Sequence, residues 1–195
     1  MNYQGVLESL GRHGLEHVKW RENDFAQAFL VDLDISDFTT DVDPDELLNH
    51  RMRFFHCIEL TRLFPEARDN GWVKVHFLGD ELRLAFLVAV RAGALKEFVD
   101  DVINGLDRMN SRLPESAQTR IKGVVLEGRV TWRRWHGCLF LNGGLPSQAQ
   151  KWMNSLARGE VAMNAAFRRS LKSEGIPVHF TERDFSGETG YMLRA

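Results

Sequence analysis

Residues 71–92 read GWVKVHFLGDELRLAFLVAVRA. Two apolar-rich runs flank Gly79-Asp80, a pair suited to a tight turn: glycine tolerates backbone angles other residues avoid, and aspartate bonds to nearby backbone. The stretch is predicted to be two strands joined by that turn. Both of its neighbours read as helices. Upstream, residues 43–64 (DPDELLNHRMRFFHCIELTRLF) have Asp43 placed as N-cap, Pro44 in the first turn and acidic residues at the positive end, and predict one long helix. Downstream, residues 94–113 (ALKEFVDDVINGLDRMNSRL) predict a second helix, ended before Pro114. Further out, residues 26–35 (AQAFLVDLDI) and 119–132 (TRIKGVVLEGRVTW) read as strands. The order strand, helix, strand, strand, helix, strand is the ferredoxin-like pattern. It predicts an α+β fold, an antiparallel sheet with flanking helices that cover one face.

Beyond this core, a strand over 137–143 is followed by a helix from near Pro146 to about Ala157. A short strand at 160–164, a helix at 165–175 and two terminal strands complete the reading. No repeat, low-complexity tract or Gly/Ser linker divides the chain, so residues 26–195 are predicted as one domain behind a helical segment at 1–25. The 195 residues suit that size.

A formal net charge of −2 provides no global basic field for nucleic acid or an anionic membrane. No apolar run reaches the length a bilayer requires, and the first residues read as an amphipathic helix, not a signal peptide; a cytoplasmic location is expected. Cys57 and Cys138 lack metal-type spacing and sit among apolar neighbours, so both are expected as reduced, buried thiols. His50, His56 and Cys57 have no recognised metal spacing and are read as core or surface. Residues 129–136 (RVTWRRWH) interleave arginine and tryptophan, but at a hairpin of a chain that is not basic; a solvated hairpin or dimer contact is expected there.

The chemistry concentrates in residues 29–40, FLVDLDISDFTT. Side chains two apart on a strand share a face, so Asp32 and Asp34 point the same way. Two carboxylates on an otherwise apolar strand require a cation or hydrogen bonds to offset desolvation. The turn Ser36-Asp37-Phe38-Thr39 follows, with backbone N–H groups suited to phosphate oxygens. In a ferredoxin-like sheet the first strand lies beside the hairpin, so Asp34 and Asp80 converge. Two converging carboxylates beside a phosphate-holding turn are what two-magnesium phosphoryl transfer requires.

The segments LVDLDISDFT, VHFLGDELRLAF and GGLPSQAQKW, in this order, resemble the catalytic core of class III adenylate and guanylate cyclases over roughly residues 26–165. The resemblance implies that Asp34 and Asp80 hold two Mg2+ or Mn2+ ions per active site, that the main chain of Ile35 touches a metal, and that Asp32 supports the metal shell. It implies that the amides of Phe38 and Thr39 hold the triphosphate. The family's helix asparagine and arginine fall on Ser147 and Lys151, one turn apart, and its base-selecting pair on His76 and Phe140. The chain departs from the family at several positions. Asp37 replaces a glycine, Lys151 keeps charge without the guanidinium fork, and His76 with Phe140 matches neither purine code. An aromatic residue at 140 also narrows the pocket.

A small cyclase without either purine code is similar to the pyrimidine cyclases of bacterial Pycsar antiphage defence. That implies a homodimer with shared active sites and a nucleoside triphosphate substrate, UTP ahead of CTP. It further implies a cyclic product read by a separate cyclic-nucleotide-sensing effector. A purine cyclase with an unusual base pocket and a cyclase-like module that binds without turnover remain the alternatives.

Overall fold

The computed structural model describes residues 20–35, 44–78, 81–87, 90–177 and 179–194. Residues 1–19, 36–43 and the Gly79-Asp80 pair lie outside them, and with them Asp37, Phe38, Thr39 and Asp80.

Strands β1 (Ala26–Ile35), β2 (Val73–Leu78), β3 (Glu81–Leu87) and β4 (Ile121–Trp135) form the centre of one sheet, in the order β2-β3-β1-β4. The β1–β3, β1–β4 and β2–β3 ladders are antiparallel. Helix α1 (Pro44–Glu59) and the short α2 (Leu63–Asp69) connect β1 to β2, and α3 (Ala92–Asn110) connects β3 to β4. This is the ferredoxin-like order the hairpin predicted. Strand β6 (Val161–Met163) extends the sheet by pairing parallel to β4, then β8 (Thr189–Arg194) and β7 (Thr181–Asp184) follow. Strand β5 (Cys138–Asn142) pairs only with the outer half of β4, making a hairpin arm. Helix α4 (Gly144–Met153) follows β5, and α5 (Ala165–Ser173) follows β6.

The predicted long helix at 43–64 is two. Thr61 interrupts it: its hydroxyl donates to the carbonyl of Ile58 and accepts from the amide of Phe64, closing one helix and capping the next. Pro65 falls in the first turn of α2, where its missing N–H costs nothing, whereas in a continuous helix it would remove a bond and clash with the preceding turn.

The sheet is buried on both faces. Phe29, Val31, Leu33 and Ile35 of β1, with Leu82, Leu84 and Phe86 of β3, pack in one core with residues of α1, α2, α3 and α5. The alternate residues Ala28, Leu30, Ala85, Leu87, Val124 and Leu126 form a second core with Leu145, Ala149, Trp152 and Met153 of α4. Helices on one face were expected; α4 lies on the other. The run from β5 into α4 makes this possible: Gly143 turns the chain with φ at +123°, and a Cβ there would press to 3.3 Å from the Arg129 carbonyl. Trp152 stacks on Phe185 at 4.4 Å, and Gly190 leaves space for that pair, since a Cβ would come within 2.6 Å of the Phe185 ring.

Cys57 is buried as expected, but Cys138 is exposed, because it pairs with Trp135 at the tip of the arm. The tip turns through His136 and Gly137, both at positive φ, and Trp135 stands 64% exposed beside the exposed Arg133 and Arg134. His50 is core: its Nδ1 lies 2.8 Å from the hydroxyl of Thr119, and burial, then Arg53, lowers its pKa.

Candidate functional site

The second face of β1 changes character along its length. Ala28 and Leu30 are apolar, but Asp32 and Asp34 follow on the same side. The ladder places Asp32 opposite Arg83 and Asp34 opposite Glu81 on β3, and Asp34 opposite Lys122 on β4. A polar strip therefore occupies one end of a sheet that is otherwise apolar.

The cation that offsets the burial of Asp32 is protein. Arg83 donates through Nε (2.9 Å) and Nη2 (2.6 Å) to Oδ2 of Asp32, and Nη2 also donates to Glu81 at 2.7 Å. Asp32 is 0% exposed and Arg83 6%. Burial pushes the Asp32 carboxyl above its ordinary range and Arg83 opposes that; two carboxylates share one guanidinium here. So placed, the Asp32 Oδ2 is already committed to Arg83. The sequence carried a signal for this pair: residues 81, 83 and 85 share a face, so the expected approach of Asp34 to the hairpin end brings Asp32 to Arg83.

Asp34 is partly exposed, with Lys122 Nζ 3.4 Å from its Oδ2. Ile35 ends the strand with its side chain in the first core. The chemistry of these donors fits Mg2+ or Mn2+: a carboxylate and a main-chain carbonyl are hard oxygen ligands. Among the described residues no group of three or more His, Cys, Asp or Glu side chains could hold a metal, and Asp80, the chain neighbour of Glu81, lies outside them.

His76 and Phe140, far apart in sequence, are brought together with ring centroids 5.2 Å apart. The arm causes this: β5 folds back over β2, and Lys74 Nζ packs over the Trp132 ring at 4.5 Å. His76 also stands opposite Arg83. Burial first, then the Arg83 charge, lowers its pKa, so it is neutral at pH 7.

On α4, Ser147 is exposed and lines an open cavity of about 310 Å3 with Arg83, Leu141, Asn142, Gly143, Pro146 and Gln150. Lys151 is turned elsewhere: its Nζ bonds Glu188 Oε1 at 3.1 Å and the Ser186 carbonyl at 3.2 Å. Glu188 also accepts from Gln148 at 2.6 Å and Trp152 Nε1 at 3.3 Å, and these bonds, Gln148 first, hold its carboxyl below the usual range. The sequence reading missed Glu188, which precedes a terminal strand and carries no motif. A larger cavity of about 610 Å3 lies between α1 and α3 and contains none of these residues.

The two buried imidazoles set an acid limit on stability. His50 and His76 both have folded pKa values below the ordinary 6.5, so the unfolded chain takes up protons that the folded chain refuses. Their contribution is complete above pH 6.5 and is lost as pH falls through that value towards the folded pKa. Thermal melts from about pH 8 to about pH 5 are expected to decline below about 6.5. A flat profile would mean that both rings titrate normally in the fold.

No protein-family model and no curated protein sequence matches the chain. Solved structures do. A non-canonical dimeric guanylyl cyclase domain of the RhoGC fusion protein from the aquatic fungus Blastocladiella emersonii is 16% identical, covers 89% of this chain and 98% of its own, and superposes with a TM-score of 0.66. The guanylate cyclase domain of RhGC from Catenaria anguillulae, in complex with GTP, is 14% identical over 87% of this chain and 97% of its own, with a TM-score of 0.62. A bacterial light-regulated adenylyl cyclase is 14% identical over 86% and 90%, with a TM-score of 0.64. The protein therefore has the fold of the catalytic domains of class III guanylyl and adenylyl cyclases.

Proposed function

We propose that this protein is a nucleotidyl cyclase that converts a pyrimidine nucleoside triphosphate, UTP ahead of CTP, to the 3',5'-cyclic nucleotide and pyrophosphate. The observation that carries the reading is Asp34. On a cyclase fold, the one partly exposed carboxylate of β1 stands opposite Glu81, whose preceding residue is Asp80.

In this reading Asp34 and Asp80, with the Ile35 carbonyl, would hold Mg2+ or Mn2+, and a bound ion would supply acidification of the ribose 3'-hydroxyl and positive charge for the leaving pyrophosphate. The 3'-oxygen bonds to the α-phosphorus, the bond to the β-phosphate oxygen breaks, and the hydroxyl proton leaves to solvent. Phe38 and Thr39 hold the triphosphate through their amides. Lys122, 3.4 Å from the Asp34 carboxylate, must give it up on loading. Ser147 and Lys151 meet the nucleotide across a homodimer with shared sites, and Lys151 must leave Glu188 to do so. The ring contact of His76 and Phe140 closes down the base side, which favours a pyrimidine over a purine.

The biological role proposed is an antiphage signal, with the cyclic product acting on a separate effector. A second reading, a cyclase-like module that binds nucleotide without turnover, is favoured by the cis engagement of Lys151 with Glu188. Incubation with ATP, GTP, CTP and UTP separately in manganese, with products identified by mass spectrometry, tests both. Cyclic UMP is the expected product. A cyclic purine as the main product overturns the base assignment, and no product from a folded dimer supports the binding module.

A further inference from the structure

We infer that Arg83 is a specificity-determining residue that reads the nucleotide base, donating to a ring carbonyl; this rests on the cyclase reading of the same site. Stability does not account for an arginine here. Its position lies between Leu82 and Leu84 on a strand buried on both faces, and its own face continues into Ala85 and Leu87. Apolar residues in place of a buried ion pair are commonly as stable or more so, because desolvating two charges costs about what their attraction returns. What the pair provides is a guanidinium of fixed orientation.

Nε and Nη2 are committed to Asp32 and Glu81, Nη2 also lies 3.5 Å from Gln150 Oε1, and Nη1 takes part in none of these bonds. The side chain forms part of the wall of the 310 Å3 cavity that Asn142, Ser147 and Gln150 also line. That volume is at the small end of ligand sites.

The bonds already made select what Arg83 meets. Nε and Nη2 are held by the Asp32 and Glu81 carboxylates, so what is left for a ligand is a single fixed N–H direction, suited to one neutral acceptor rather than to the several oxygens of a phosphate. Uracil offers carbonyl oxygens beside a ring N–H, and the amides of Gln150 and Asn142 have both donor and acceptor to complete that edge. Adenine has no carbonyl. Neutral His76 beside Arg83 adds no competing charge.

The test separates base reading from turnover. Affinities of the full chain for 3'-deoxy-UTP and 3'-deoxy-ATP, which lack the attacking hydroxyl, are compared with those of an Asp32→Leu/Arg83→Met variant that removes both partners of the pair together. An Arg83→Lys variant keeps charge without the fork. The wild type is expected to prefer the uridine analogue by about 10- to 100-fold, in line with loss of a hydrogen bond to a charged donor. The pair variant is expected to fall to within about 3-fold, with affinity for the adenosine analogue retained, and Arg83→Lys to fall between. An unchanged preference in the variants, or equal weakening for both analogues, overturns the inference. Base discrimination by a wild type that yields no cyclic product would sink the cyclase reading and leave the inference standing. Cyclic UMP formation with base preference intact in the pair variant would do the reverse.

Discussion

Asp34→Ala is expected to lower cyclase turnover by at least about 10^3-fold while the melting temperature barely moves. A carboxylate ligand of a catalytic metal supports several kcal/mol of charge stabilisation at the transition state, and each 1.36 kcal/mol or so is a factor of ten. Its contribution to folding is small by contrast. The Asp34 side chain is partly exposed and its ion pair to Lys122 is 3.4 Å long, looser and wetter than the buried 2.6 Å pair of Asp32 with Arg83. The same outcome is expected of Asp80→Ala for turnover. Steady-state rates with UTP and thermal melts on the same preparations decide it. Normal turnover in both alanine variants would remove these aspartates from the metal site, whatever the product.

Arg83→Met shows the opposite pattern, a loss of stability before any question of activity. The substitution leaves Asp32, 0% exposed, without the donor that satisfies its Oδ2, while Oδ1 already has no hydrogen-bond partner among the described residues. Removing one member of a buried ion pair typically costs about 3–5 kcal/mol, a large share of the roughly 5–15 kcal/mol that holds a domain together. Adding Asp32→Leu removes the stranded carboxylate and is expected to recover most of the loss. Chemical denaturation of wild type, single and double variants closes the cycle. A single variant as stable as wild type would mean that Asp32 carries a proton in the fold, the direction in which burial pushes it.

His76 and Phe140, both matched by resemblance to one function, lie ring against ring at 5.2 Å. The break at Thr61 was not legible from helical character alone, because Pro65 is compatible with a helix interior only as a defect but with a helix start at no cost. The side of the sheet taken by α4 was equally hidden. Its apolar residues announce a buried stripe, yet a stripe packs as well on either face of a sheet, and only the path through Gly143 decides which.

The sequence by itself determined the order of the core strands and helices, the hairpin at 79–80, and the shared face of Asp32 and Asp34. These are local consequences of period and turn chemistry. It also marked Asp34 as a carboxylate that a site would use. Only the tertiary structure decided that Lys151 rests on Glu188 and that Ser147 shares a cavity with Arg83 and Gln150, and it fixed the bonds of Asp32 to Arg83 that a shared face only allowed. The physical reason is that period assigns a residue to a face, whereas its partner is set by register, crossover and packing between segments distant in the chain.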